Sequence, residues 1–552
     1  MAHQKIWENH YPKEVPLTLR YSDKLLHEVL MEQAENNGDK VAIRFMGKSI
    51  TYQELWLEVK KTANFLQEQN IKKGQRVAIM LPNCPQAVIS YYAVLAIGGI
   101  VVEVNPLYKE REISHQLIDA DVSAIITLDL LAKRIKNIEH QIDLEHILLT
   151  SIRDYLAFPK NIVYSLQKQS RQAYPLPDFQ SDTSMWHKMM KQGNDKDIPK
   201  LDIDPKNDIA LLQYTGGTTG EPKGVMLSHF NLIANTEMAK AWIPWERNTQ
   251  ANVLGVLPFF HVYGMTAIMN YSIFTGSNMI LVPKFDAEAL LNTIKKEKPN
   301  IFPGAPTIYI GLLKQKSITN YDLSSIDFCI SGSASLPIEV KDAFEKVTKG
   351  RLVEGYGLTE ASPITHANFM KEHKYYGGIG VPWPDTDAMI MTLTEKKEAE
   401  IDEIGELVVR GPQVMMGYWR RNEETKEVIE DGWLYTGDLA YMDKHGFFYI
   451  VDRKKDVIIA SGYNIYPREV EEVLYEIEGV EEAVVVGIPD VYRGETAKAF
   501  IVIKEGYKVT EKDIKDHCRQ QLANFKVPTE IEFRDNFPKT AVGKILRRKL
   551  ME

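Results

Sequence analysis

Cysteine is scarce in this chain of 552 residues, which contains only Cys84, Cys329 and Cys518. The three residues lie far apart and match neither a CxxC motif nor the spacing of a zinc site. We therefore expect no disulfide framework and no structural zinc. An odd and sparse cysteine count is typical of a reducing compartment, which predicts a cytoplasmic location.

An excess of positive charge is also missing. The 66 Lys and Arg residues against 75 Asp and Glu residues give a formal net charge of −9, so the chain has no bulk attraction for a nucleic-acid backbone. Hydrophobic residues make up 44% and charged residues 26%, as in ordinary globular chains, which excludes a disordered or collagen-like protein. The length predicts about three to five core units.

No apolar run is both long and unbroken. The N-terminus is polar and has no signal core. Residues 87–102 are broken by Gly98 and Gly99, and residues 251–283 lack charge but are cut by proline and glycine into strand, loop, helix and strand. We therefore predict no transmembrane span. A peripheral contact with the inner face of a membrane and a homodimer both remain open.

Short apolar runs alternate with helical periodicity along most of the chain, which predicts an α/β fold with largely parallel sheets. We expect a large N-terminal domain of two layered α/β subdomains and a small β-rich subdomain after about residue 380. The polar stretch 164–206 reads as a surface excursion between the two halves.

The last hundred residues read as a small separate α+β domain. Pro467 opens a helix whose apolar positions are Val470, Val473, Leu474 and Ile477, and the charged run 452–456 lies just before this unit. Taken alone, such a run is usually a solvated turn.

Residues 214–225 carry the strongest local pattern. They follow an apolar run and contain four glycines, three threonines and Lys223. Glycines let backbone N–H groups turn toward an anion, while hydroxyls and an ammonium add further donors, as a polyphosphate requires. The spacing is not that of a Walker A loop. A flexible surface loop is the less favoured alternative.

This segment resembles the glycine-rich phosphate loop of the adenylate-forming superfamily, which includes acyl-CoA synthetases, luciferases and peptide-synthetase adenylation domains. Four further segments resemble motifs of that family and occur in the family's order. They are residues 354–360, 432–438, 452–467 and 538–544. The resemblance covers essentially the whole chain.

The resemblance implies ATP as a substrate and assigns the nucleotide to residues of these segments. The expected ATP and AMP contacts are Thr215, Gly216, Gly217, Thr218, Thr219, Gly220, Lys223, Gly332, Ser333, Ala334, Glu354, Gly355, Tyr356, Gly357, Thr359, Asp438 and Arg453. Tyr356 would lie against adenine, and Asp438 and Arg453 would contact the ribose. For residues 332–337, an ordinary strand-to-helix turn remains the alternative.

The resemblance also implies Mg²⁺ at Thr215 and Glu360, where a carboxylate supplies the hard oxygen ligand that this ion prefers. Lys544 would be catalytic, because a carboxylate that attacks the α-phosphorus builds negative charge that a cation can stabilise. Basic neighbours such as Arg547 leave a purely electrostatic surface role as the alternative.

The resemblance implies that residues 452–456 form a hinge about Lys455 between an N-terminal domain, residues 1–451, and a mobile C-terminal domain, residues 457–552. After rotation of the C-terminal domain, Gly462 and Tyr463 would face coenzyme A.

A lone histidine in an apolar region, such as His261, is more often a core side chain. The resemblance places His261 near the carboxylate and phosphate end of an acyl site, as a second catalytic candidate. Tyr263, Met265 and Gly304 would line a pocket for an alkyl chain, which gains roughly 0.8 kcal/mol per buried CH₂. Some long-chain members have an aromatic gate at the position of Met265, so the chain-length preference stays open.

These observations predict an ATP-dependent ligase that joins a medium- to long-chain fatty acid to coenzyme A. The acid would first form an acyl-adenylate with release of pyrophosphate, and the thiol would then displace AMP. Lys454, Lys455 and Asp456 resemble the fatty-acid branch of the family. Two alternatives use the same adenylation motifs: loading of the acyl group onto a carrier protein, and oxidation of the adenylate as in a luciferase.

Overall fold

The computed structural model describes residues 5–166, 176–215, 222–245, 249–371, 377–461, 463–540 and 544–551. Two large sheets form the N-terminal part of the described chain. The first has nine strands, which in spatial order are Val381–Pro382, Ile364–Ala367, Arg351–Gly357, Phe328–Ser331, Ile301–Gly304, Asn252–Gly255, Asn278–Leu281, Val41–Phe45 and Lys48–Thr51. The central strands are parallel, as the alternating pattern predicts.

The second large sheet has eight strands within the described residues. In spatial order they are Gly417–Tyr418, Lys223–Ser228, Ile209–Thr215, Ile100–Glu103, Arg76–Met80, Val122–Leu128, His146–Thr150 and Asp182–Met185. The last strand corrects the prediction that residues 164–206 are only a surface excursion, because Asp182–Met185 pairs with His146–Thr150. Its polar composition hid it from the sequence pattern, since an edge strand is half exposed.

Helices pack against and between these sheets. The α-helices are Leu26–Asn36, Tyr52–Glu68, Pro85–Ala96, Glu110–Asp119, Ala132–Ile138, Lys160–Leu166, Trp186–Gln192, His229–Trp242, Val262–Gly264, Tyr271–Thr275, Ala287–Glu297, Pro306–Leu313, Ile338–Thr348, Asn422–Val428, Pro467–Tyr475, Glu511–Gln521 and Arg548–Met551. A π-helical turn spans Met265–Asn270, and 3-10 turns span Ile6–His10, Asp129–Leu131, Glu139–Gln141, Ile152–Tyr155, Lys316–Asn320, Thr359–Ala361 and Asn524–Lys526.

Local sequence explains how these elements begin and end. Thr51 caps the helix Tyr52–Glu68 by accepting a hydrogen bond from the N–H of Glu54, whose side chain reaches back to Thr51. Pro85 begins the fully buried helix Pro85–Ala96, and Gly98 follows it with a φ of 68°. Residues 87–102 are thus a helix, a glycine stop and a strand, as predicted. Among the described residues, we find no helix with both the length and the apolarity that a bilayer span needs.

Two small sheets complete the described fold. One contains Asp387–Met391, Gly405–Arg410, Trp433–Met442, Ile429–Glu430 and Phe448–Arg453, and the other contains Tyr463–Ile465, Ile458–Ala460, Gly494–Ile503, Val480–Asp490 and Glu530–Phe533. The segment 452–456 lies where the first small sheet ends and before the second begins. The overall class is the predicted one: α/β with a small β-rich unit and a small α+β C-terminal part.

Candidate active site

Several of the predicted nucleotide segments lie at the carboxyl ends of parallel strands. Ile301–Gly304, Phe328–Ser331 and Arg351–Gly357 are neighbours in the first sheet and run in the same direction. Ile209–Thr215 ends at Thr215, the last described residue before the phosphate loop. Ligands of open α/β sheets bind at such edges, so the fold brings together segments that are more than a hundred residues apart in sequence. Gly216, Gly217, Thr218, Thr219 and Gly220 lie outside the described residues.

The turn after Phe328–Ser331 forms one wall of the site. Gly332 is buried, and a Cβ there would lie 2.9 Å from Cε1 of Tyr263, so only glycine fits without displacement of that ring. Ser333 and Ala334 are exposed. Ser333 has a left-handed φ of 71°, which is uncommon for a residue other than glycine, and residues 332–334 stay predictions as nucleotide contacts.

Glu354 braces this wall from behind. Its buried carboxylate accepts a hydrogen bond from the N–H of Leu336 at 3.3 Å. Burial raises the pKa of Glu354 to about 7, although the positive charge of Arg468 acts in the opposite direction. Glu354, Gly355, Gly357 and Thr359 stay predictions as direct nucleotide contacts.

Asp438 lies at the centre of the candidate ribose site. Its Oδ1 is 2.6 Å from Nε of Arg453, and its Oδ2 accepts a hydrogen bond from the hydroxyl of Tyr356 at 2.5 Å. Burial raises the pKa of Asp438 while the charge of Arg453 opposes that rise. Each carboxylate oxygen retains a lone pair for a further donor, so hydroxyl groups of a ribose fit this carboxylate.

Lys544 reaches the same site from the C-terminal part of the chain. Two hydrogen bonds between Thr540 and Lys544 close its loop: the N–H of Thr540 donates to the carbonyl of Lys544 at 2.8 Å, and the N–H of Lys544 donates to the Thr540 hydroxyl at 3.1 Å. Lys544 is accessible to solvent, yet the protein groups around its ammonium lower its pKa to about 8. Desolvation contributes most, followed by the positive charge of Arg453, while Asp438 favours the charged form.

His261 faces Lys544 from the N-terminal part. Its Nδ1 accepts a hydrogen bond from the N–H of Tyr263 at 3.3 Å, which caps a short helix. Burial lowers the pKa of His261 to about 4, and the charge of Lys544 lowers it further, so the imidazole is neutral at pH 7. Gln213, which the sequence analysis missed, donates to the carbonyl of Phe260 at 2.9 Å and ties this loop to the strand before the phosphate loop.

The predicted acyl-pocket residues are tightly packed. Met265 is fully buried in the π-helical turn, and the hydroxyl of Tyr263 donates to the carbonyl of Ile330 at 2.8 Å. The ring of Tyr309 lies against Gly304, where an added Cβ would be 2.7 Å from Cζ of that ring. An alkyl chain that enters beside Gly304 must therefore displace Tyr309, and the acyl pocket stays a prediction.

Two residues that the sequence analysis missed contact the predicted phosphate and metal groups. Lys223 forms an ion pair with Glu424, and its Nζ lies 5.0 Å from the ring centroid of Tyr418. The hydroxyl of Tyr418 donates to Oε1 of Glu360 at 2.8 Å. Both missed residues lie more than fifty positions from the motifs that they contact, so no local spacing could have indicated them.

Thr215 and Glu360 fit a magnesium ion by the chemistry of their donors, a hydroxyl and a carboxylate. Their elements are adjacent, because the strand Lys223–Ser228 pairs with Ile209–Thr215 and also packs against the turn Thr359–Ala361. The described residues include no cluster of three His, Cys, Asp or Glu side chains that could hold a metal alone. Mg²⁺ commonly takes one or two protein oxygen ligands and completes its coordination with water and substrate phosphates.

The segment predicted as a hinge connects two sheets and is held on both sides. Lys454 pairs with Glu406 at 2.8 Å, and burial lowers the pKa of Lys455. Tyr463 is exposed on the far side of the segment, where its ring stacks on Phe525 at 4.9 Å between centroids. Gly462 lies outside the described residues, and the hinge, the domain boundaries and the contacts with coenzyme A stay predictions.

Comparison with known families and proteins gives full-length matches. The family described as "AMP-binding enzyme" matches residues 30–419, and "AMP-binding enzyme C-terminal domain" matches residues 469–544. The chain is 54% identical to a long-chain-fatty-acid–CoA ligase of Bacillus subtilis, with 100% of this chain and 98% of that protein covered. It is 38% identical to a protein of the same name from Escherichia coli O157:H7, with the same coverage.

The fold also matches solved structures. The ATP-bound MatB of Rhodopseudomonas palustris is 26% identical to this chain and superposes with a TM-score of 0.82 over 96% of this chain and 98% of that one. The match extends over both the large sheets and the C-terminal part, as its coverage requires.

Proposed function

Because the chain belongs to the family of AMP-binding enzymes, we propose that its site forms an acyl-adenylate from a fatty acid and ATP and passes the acyl group to coenzyme A. The protein is a long-chain fatty-acid–CoA ligase, since relatives of that name match its whole length. The overall reaction is acid + ATP + CoA → acyl-CoA + AMP + PPi.

The observation that carries the chemistry is the position of Lys544. Its ammonium lies close enough to His261 and Asp438 to lower the pKa of His261 and to oppose the rise in the pKa of Asp438, and the charge of Arg453 in turn lowers the pKa of Lys544. In the proposed first step, a carboxylate oxygen of the acid bonds to the α-phosphorus, and the bond from that phosphorus to pyrophosphate breaks. Lys544 donates hydrogen bonds to the oxygens that gain negative charge in this step.

The other residues bind and orient the nucleotide in this proposal. Asp438 accepts hydrogen bonds from the ribose hydroxyls, and Arg453 holds Asp438 in place. Neutral His261 can donate from Nε2 to the acyl carboxylate while its Nδ1 stays occupied. Thr215 and Glu360 would hold Mg²⁺, which would neutralise charge on the phosphates.

The second step needs a different arrangement of the same site. We propose that the C-terminal domain rotates about Lys455 before coenzyme A reacts, because Lys544 is needed only while the carboxylate attacks the α-phosphorus. The thiol then attacks the acyl carbonyl, the bond to AMP breaks, and the thiol proton leaves to solvent. Rotation about a short segment lets one site perform two reactions while water stays excluded from the adenylate.

We propose a cytoplasmic location, because the chain has few cysteines and Cys84, Cys329 and Cys518 are unpaired, as is usual in a reducing compartment. A peripheral contact with a membrane and a homodimer stay predictions.

Pyrophosphate release tests the proposed function directly. The purified protein is incubated with ATP, Mg²⁺ and saturated fatty acids of increasing length, with and without coenzyme A. We expect one round of pyrophosphate release with acid alone and continuous turnover with thioester formation once coenzyme A is present. Continuous turnover that requires oxygen or a carrier protein instead would favour one of the two alternative second steps.

A further inference from the structure

Tyr418 lies beside the strand that leaves the phosphate loop. The strand Gly417–Tyr418 pairs with Val225 and Met226, and the N–H of Trp419 donates to the carbonyl of Gly224 at 2.7 Å. The N–H of Tyr418 donates to the hydroxyl of Thr425 at 2.9 Å, so the backbone is held on both sides. Tyr418 is 6% exposed, and its side chain therefore has little freedom.

The hydroxyl of Tyr418 contacts the carboxylate that we assign to the metal. It donates to Oε1 of Glu360 at 2.8 Å, and the backbone of Glu360 is held as well, because the N–H of Met415 donates to its carbonyl at 2.8 Å. Burial raises the pKa of Tyr418, so the phenol keeps its proton and acts as a donor. A carboxylate held at one oxygen presents the other in a defined direction.

The ring of the same residue lies beside the phosphate-loop lysine. Nζ of Lys223 is 5.0 Å from the ring centroid, within range of a cation–π contact. Glu424 pairs with Lys223 from the helix that follows Tyr418. The hydroxyl and the ring of Tyr418 thus contact two different groups of the candidate site, Glu360 and Lys223. A substitution that removes only the hydroxyl can separate the effects of the two contacts.

We propose that Tyr418 is a positioning residue that orients the Glu360 carboxylate toward the magnesium ion of bound ATP. This inference rests on the proposed function, since it takes Glu360 as the metal ligand. Tyr418 lies outside the motifs that carry the family resemblance. The orientation of the Glu360 carboxylate is assigned to the Tyr418 hydroxyl alone.

The experiment measures ATP binding to the full chain by calorimetry over a series of Mg²⁺ concentrations. Tyr418→Phe removes the hydroxyl and keeps the ring beside Lys223. We expect the Mg²⁺ concentration for half-maximal binding to rise about three- to tenfold, as the loss of a hydrogen bond to a charged group allows. ATP binding in EDTA should stay within about twofold of wild type, because the lysine contact remains.

Two further variants separate orientation from packing. Tyr418→Leu removes the ring as well, and it should weaken ATP binding both with Mg²⁺ and in EDTA. Glu360→Gln should by itself raise the Mg²⁺ concentration for half-maximal binding, and Tyr418→Phe should add no further change in that background, because both substitutions act on one contact.

Tyr21→Phe is the matched control, since the Tyr21 hydroxyl also donates to a carboxylate, that of Asp385, at 2.8 Å. We expect wild-type binding from this variant. The inference is overturned if Tyr418→Phe keeps the wild-type Mg²⁺ dependence, or if it weakens binding equally in EDTA. If the wild-type protein bound no ATP, the proposed function itself would be wrong. Failure of the proposed function can therefore be distinguished from failure of the inference about Tyr418.

Discussion

Arg468 donates a hydrogen bond from Nη1 to the carbonyl oxygen of Ile450 at 2.9 Å, across the segment 452–456. Its backbone N–H also donates to Oδ2 of Asp452 at 2.8 Å. Both contacts join the helix Pro467–Tyr475 to the strand Phe448–Arg453. An ion pair between Lys314 and Glu481 links the two sides at a second place. A rotation of the C-terminal part must break such contacts, so they stabilise the arrangement in which Lys544 lies in the site.

The first prediction concerns this arrangement. Arg468→Ala should slow pyrophosphate release from acid and ATP by about three- to tenfold, because it removes a charged donor that favours the first conformation. Conversion of supplied acyl-adenylate and coenzyme A to thioester should stay at the wild-type rate or rise. Arg534→Ala serves as the control, since Arg534 pairs with Glu532 inside the C-terminal part. An equal loss in both half-reactions would contradict the prediction.

A second prediction separates Lys544 from the hinge. Lys544→Ala should reduce pyrophosphate release by at least about a hundredfold, as loss of a group that stabilises transition-state charge does, and it should spare the thioester half-reaction. Lys455→Pro should have the opposite effect, because proline fixes φ and hinders rotation. The two half-reactions are followed as pyrophosphate and thioester. If both variants lose both activities in parallel, the two-conformation mechanism is wrong for this chain.

The third prediction follows from the lowered pKa of Lys544, which is about 8. The charged ammonium is the useful form, and it is lost as the pH rises through that value. The kcat/KM for ATP in the pyrophosphate assay should therefore be constant below pH 7 and fall about tenfold per unit well above pH 8. Lys544→Arg keeps its charge at high pH, so its lower activity should not show this decline. If Lys544→Arg showed the same decline, the group that titrates would be one other than Lys544.

A fourth prediction concerns the acyl chain. If the uncharged region 251–283 lines an apolar site, each added CH₂ should raise kcat/KM by up to about fourfold until the site is filled, which corresponds to roughly 0.8 kcal/mol. Tyr309→Ala should shift the plateau to longer acids, because Tyr309 lies against Gly304. The measurement is pyrophosphate release with acids from acetate upward. A preference for acetate would rule out the predicted site.

Motifs made the adenylation residues predictable, because a phosphate loop, a ribose carboxylate and a catalytic lysine each need particular residue types in a short segment. The fold class followed from periodicity alone, and the helix Pro467–Tyr475 begins at the predicted Pro467. The strand Asp182–Met185 was missed because its residues are polar, as an edge position permits.

The sequence by itself determined which chemical groups this protein carries and in which elements they stand, since side-chain chemistry, turns and apolar periodicity are local properties. Only the tertiary structure decided what each group touches. Tyr418 and Glu360 are 58 positions apart, and Lys544 lies far along the chain from His261, yet each pair acts at one place. Packing of the sheet edges creates these contacts, and it also sets the desolvation that lowers the pKa of Lys544 and the contact of the Glu354 carboxylate with the N–H of Leu336.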